Sequence, residues 1–249
     1  MEVKEKTEKK GIKKTIRDWK EFLKVWEEVK EKLPYSTLLI ALLRKIPEIP
    51  SSGWNGFIER VEFVVKTIEN LSKKEANLLK EALKALLDLF NSKKFQPYNT
   101  IRRNWPHEER ERELVKRLLR ILAQVQLKII NDPFYLSEAR KLINDLYSYC
   151  VMCYYWPPNE PSRPECWKLA VRAAINLEHY ELLLQISKLK VPREVINQIL
   201  SFLKEKIVKK WKKKYPELPD EELIKKAFIN GDKGAIRYLQ LNHISQSVS

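Results

Sequence analysis

All three cysteines of the 249-residue chain fall within 17 residues, Cys150 and Cys153 spaced C-x2-C and Cys166 beyond a proline-rich stretch. A soft metal is held by several thiolates converging on one point, and a C-x2-C pair on consecutive helical turns presents two of them on one side. Cys150, Cys153 and Cys166 are therefore candidate ligands for zinc or an iron–sulfur cluster. A fourth ligand has to come from elsewhere: His179 follows Cys166 across a helix, and His107 and His243 are distant in sequence. Two other chemistries suit the same residues, namely buried thiols packing as small apolar groups and a disulfide between Cys166 and one partner.

The densest charge lies further on, where Lys204, Lys206, Lys209, Lys210, Lys212, Lys213 and Lys214 are accompanied by a single acid, Glu205. On a helix over 192–214, Ile196, Ile199, Leu200, Leu203, Ile207 and Trp211 form one apolar stripe, and the lysines occupy much of the remainder. Intrahelical pairs cannot neutralise seven ammonium groups, so an anionic partner is expected to relieve their repulsion. Lysine-to-phosphate contacts position a polyanion without reading its sequence. The other reading of the same lysines is a solvated helix end that complements the negative pole of its dipole. Arg102 and Arg103, beside Tyr98 and Trp105, are auxiliary candidates, because an arginine next to aromatic rings can grip phosphate and stack on an unpaired base. The basic residues from Arg110 to Arg120 differ, since Glu108 stands four before Arg112 and Glu113 four before Arg117.

Nothing in the chain resembles a nucleophile with its base, and neither GxxxxGK[ST] nor GxGxxG occurs among only 5 glycines, so no nucleotide cofactor is expected. Each histidine does follow an arginine at short range: Arg102 with His107, Arg172 with His179, and Arg237 with His243. That spacing resembles the R-x4-6-H element of HEPN-type helical ribonucleases, and the resemblance implies RNA cleavage by acid–base chemistry. It covers about eight residues at a time, and the positions after the arginines hold Arg103, Ala173 and Tyr238 rather than that family's usual polar residue. A further alternative is a helical scaffold for another protein, using the apolar-aromatic segment 147–156.

These groups must be carried by helices. Hydrophobic spacing is helical almost throughout, with no sustained alternation, which predicts an all-α protein: a multi-helix bundle of about eleven helices. Apolar faces are broadest over 73–91 and 107–131. The irregular stretch 92–106 divides an amino-terminal helical subdomain, 1–97, from a carboxy-terminal one, 107–249, in which helical-hairpin packing is expected. Within the latter, LAVRAAINLEHY from Leu169 and LIKKAFINGDKG from Leu223 echo each other, and AFINGDKGAIRYL is similar to the helix-turn-helix part of ankyrin-type repeats. Asn230-Gly231-Asp232 reads as a left-handed stop followed by a new N-cap.

Composition bounds the rest. Hydrophobic residues make up 44% and charged residues 33%, with 7 Trp, 10 Tyr and 8 Phe, so the chain can bury a core. No apolar run approaches the roughly 18 residues of a membrane helix, and the charged start lacks a secretory signal, which points to a cytoplasmic protein without membrane association. Abundant Lys and Glu with 2 Met and 3 His suit a thermophile. The formal charge of +15 favours DNA or RNA as partner, and a non-catalytic nucleic-acid-binding or ribonucleoprotein-associated role is the leading expectation.

Overall fold

The structure, a computed structural model, describes residues 16–32, 37–50, 53–71, 75–91, 109–127, 129–130, 132–152, 162–188 and 193–247. The described residues form eleven α-helices and one short 3-10 turn, with no strand among them. None of these helices is long and apolar enough to cross a membrane. The chain divides into two compact units, Met1–Arg103 and Asn104–Ser249.

The first unit contains α1 (Trp19–Lys32), α2 (Thr37–Lys45), a 3-10 turn (Ile46–Glu48), α3 (Gly53–Asn70) and α4 (Ala76–Asn91). The periodicity places the start of the first helix at residue 15, yet α1 begins at Trp19. Asp18 accepts the Glu21 amide at 2.9 Å and the Glu21 carboxylate accepts the Arg17 amide, so the cap sits at Asp18. Helix α4 packs on both α2 and α3, as its broad apolar face requires, with Leu78, Leu83, Leu86, Leu87 and Leu89 all buried. Each such side chain contributes about 1.5–3 kcal/mol through burial. Trp19, Phe22, Trp26 and Phe63 form an aromatic cluster, and the guanidinium of the buried Arg60 lies over Trp19 while donating to the carbonyls of Gly56 and Pro50. Ser72, which with Glu75 three residues on reads as a capping box in the sequence, lies outside the described residues.

The second unit contains α5 (Glu109–Gln124), α6 (Pro133–Met152), α7 (Ser162–Asn176), α8 (Tyr180–Lys188), α9 (Arg193–Lys212), α10 (Asp220–Ile229) and α11 (Lys233–Ser247). Helix α7 is its centre and touches α5, α6, α8 and α9, while α11 packs on α8, α9 and α10. Helix α5 stops at Gln124, short of the 131 that hydrophobic spacing suggests. The Asn176 side-chain amide donates to the carbonyls of Leu122 and Val125, giving the helix end partners from α7 in place of a further turn.

Two helix ends in this unit are closed by a left-handed residue. At the end of α7, Glu178 has φ 55°, His179 N–H donates to Ala174 O at 2.7 Å and Glu178 N–H to Ile175 O. At the end of α10, Gly231 has φ 72°, with the equivalent bonds running from Asp232 to Ala227 and from Gly231 to Phe228. The two left-handed positions lie 53 residues apart, whereas the sequence echo has an offset of 54, because the first corner places Leu177 where the second has Asn230.

Candidate nucleic-acid interface

Helix α9 positions the lysines. Ile199, Leu203, Ile207 and Trp211 recur every fourth residue and are buried, which fixes the rotation of the helix against α7 and α11. Two of the seven lysines have partners elsewhere in this unit: Lys206 on the packed side of the helix, and Lys210, whose side chain stays 60% exposed. Lys206 donates to the carbonyls of Ile175 and Asn176 at 2.5 and 3.1 Å, with the Glu178 carboxylate at 3.8 Å. These are the last carbonyls of α7, where the helix dipole is negative. Burial pulls the Lys206 pKa below the ordinary lysine value and Lys210 adds to the fall, against Glu178 and Asp232. Arg140 of α6 serves the same helix end, donating from Nε to Leu177 O at 3.0 Å and from Nη2 to Glu178 O at 3.3 Å.

Lys210 is the second. Its ammonium lies 2.7 Å from Asp232 Oδ2, an oxygen that also accepts the Trp211 indole N–H at 3.1 Å. The other oxygen of Asp232 caps α11, accepting the amides of Gly234 and Ala235. One carboxylate thereby joins α9 to the α10–α11 corner, with only 6% of its side chain exposed. Burial pushes the Asp232 carboxyl up, but the hydrogen bonds from Lys210, Trp211 and Ala235 outweigh it and leave the group more acidic than usual.

Of the remaining lysines, Lys209, Lys212, Lys213 and Lys214 are exposed and Lys204 is half-buried. Lys204, Lys209, Lys212 and Lys213 line an open groove of about 790 Å³ beside α9, with Glu205 and Asp220 as its two acids. Lys212 donates to the Leu218 carbonyl at 2.9 Å, a bond that leaves its charge uncompensated. Among the described residues no carboxylate lies within 4 Å of any of these four ammonium groups, Glu205 included, although it precedes Lys209 by one turn. Lys214 stands apart, its ammonium 5.8 and 5.5 Å from the ring centres of Trp211 and Tyr215. Arg102 and Arg103 lie outside the described residues.

The different fates of the lysines give a separation of roles. Lys206→Ala is expected to lower the stability of the full chain by about 2 kcal/mol, because the α7 carbonyls lose their donor, while nucleic-acid affinity stays within about twofold. Chemical denaturation alongside a binding titration checks both halves.

Cys166 is fully buried and is one half of a disulfide. In that state its sulfur is not a thiolate, the form a metal requires. The side chain of Cys150 and the whole of Cys153 lie outside the described residues, among which no group of three or more His, Cys, Asp or Glu is placed to hold a metal ion. Of the arginine–histidine pairs, Arg102 and His107 lie outside the described residues, and Arg172, His179 and Arg237 engage other partners. The Arg172 guanidinium lies 4.5 Å from the ring centre of Phe202, and His179 Nε2–H donates to Asn144 Oδ1 at 2.8 Å. Burial, helped by the charge of Arg140, pulls His179 below the ordinary histidine pKa against Glu181. Arg237 pairs with Glu181 at 3.6 Å. Tyr147, at the start of the proposed protein-binding segment, is buried, and Tyr154, Tyr155 and Trp156 lie outside the described residues. Compared with known proteins, the chain matches no family model, no curated protein and no solved structure.

Proposed function

We propose that the chain is a nucleic-acid-binding protein, or one that binds a ribonucleoprotein surface, and that it grips phosphates through Lys204, Lys209, Lys212 and Lys213. A single feature carries this reading: four ammonium groups gather in one open groove, and among the described residues none has a carboxylate within 4 Å. Such a group of like charges raises the local concentration of a polyanion, and free energy is gained as the lysines release the counterions condensed on its phosphates. The net charge of +15 acts in the same direction at longer range. Lys206 and Lys210 are not part of the contact, since each already has a carboxylate beside it within the fold.

Formaldehyde crosslinking of the full chain to a mixed pool of DNA and RNA fragments, followed by peptide mapping, tests the assignment. Adducts are expected at Lys209 and Lys213 and none at Lys206. Adducts confined to regions away from α9 would exclude the groove.

A further inference from the structure

If phosphates bind in the groove, its lining also restricts which nucleic acid can supply them. Besides the four lysines and two acids, the wall holds Ser201 and Val208, so among the described residues it contains no aromatic ring, no guanidinium and no side-chain amide. Recognition of single strands relies on splayed bases stacking on aromatic side chains or arginine planes. Reading of base edges in a duplex relies on bidentate arginine, asparagine or glutamine. A lysine ammonium is a compact point charge that contacts a phosphate oxygen and carries no sequence information. Among the described residues the groove has the groups for a phosphate backbone and none of those for bases.

Glu205 sits among the four lysines with no ammonium within 4 Å among the described residues, so its charge opposes any phosphate that enters.

We infer that the groove takes one strand of a double-stranded nucleic acid through its phosphates alone, without regard to sequence, and that Glu205 limits the affinity. Because this assignment rests on the proposed function, the test carries separate arms. The full chain is titrated at one salt concentration against two short duplexes of unrelated sequence and a mixed-sequence single strand of the same length. The two duplexes are expected to bind equally within about twofold, and the single strand at least about tenfold more weakly. Glu205→Gln is expected to tighten duplex binding about fivefold, a gain that a folding defect could not produce. A single strand bound as tightly as the duplexes, or a tenfold preference for one duplex, overturns the duplex assignment and leaves the groove a phosphate site, while no gain in Glu205→Gln places the contact away from the groove. If none of the three ligands binds, the proposed function falls with it.

Discussion

Replacing Asp232 with alanine is expected to lower the stability of the full chain by about 3 kcal/mol, among the larger effects of a single substitution in this protein. Three losses combine. The α11 amides of Gly234 and Ala235 lose their cap, which costs about 1 kcal/mol. The Trp211 indole N–H, on a residue that is 9% exposed, is left without its acceptor, which costs about 1–3 kcal/mol. Lys210 loses its counterion, a smaller term because its own side chain is 60% exposed. Calorimetry should show the carboxy-terminal unit melting about 6–10 °C lower.

The isosteric change Asp232→Asn separates charge from shape. Because the folded carboxyl is more acidic than an ordinary aspartate, it stabilises the fold fully above the unfolded value near about 4. That contribution fades as pH falls through the lower folded value. The gap between wild type and Asp232→Asn is therefore expected to be constant near neutral pH and to close in acid. A gap that widens on acidification would show that the carboxylate is not held in its charged form.

The second large effect concerns binding. The combined change of Lys204, Lys209, Lys212 and Lys213 to glutamine is expected to weaken nucleic-acid binding by about 10³-fold near 0.1 M salt, since about four phosphate contacts are removed. Stability should remain close to wild type, because none of these side chains has an acidic partner among the described residues and removing like charges from one face reduces repulsion. Lys206 and Lys210 should behave in the opposite way, one by one. If the Lys210→Gln variant lost as much affinity as this fourfold variant, the groove would be the wrong surface, since Lys210 is spoken for by Asp232. Equilibrium titration of the two proteins under identical salt decides between these outcomes.

Helical periodicity made the secondary structure legible, because apolar residues at three- and four-residue spacing have few other uses in a water-soluble element. The buried stripe of α9 can be read directly from Ile199, Leu203, Ile207 and Trp211. Which of its lysines would remain in water could not be read, for the answer depends on the neighbours α9 meets. Lys206 and Lys210 flank that stripe on the side facing α7 and the α10–α11 corner, and they meet carbonyls and a carboxylate that are 22 to 31 residues away in sequence. Asp232 shows the same limit: Asn-Gly-Asp identifies a helix cap, but nothing local discloses that its second oxygen reaches Lys210 and Trp211. Likewise, the early end of α5 follows from the reach of Asn176 across from α7. The cysteine cluster was visible as a cluster, whereas spacing alone did not choose among thiol, metal ligand and disulfide for Cys166.

The account turns on ammonium groups that displace the cations condensed on a nucleic acid's phosphates, and the salt dependence of binding measures that release most directly. For the wild-type chain and a duplex, the logarithm of the association constant is expected to fall with the logarithm of salt concentration at a slope of about −3.6, the value for about four phosphate contacts. The glutamine variant of the four groove lysines should show a slope close to zero. A wild-type slope near zero, or one that those four substitutions leave unchanged, would contradict the assignment of the α9 groove as the nucleic-acid interface.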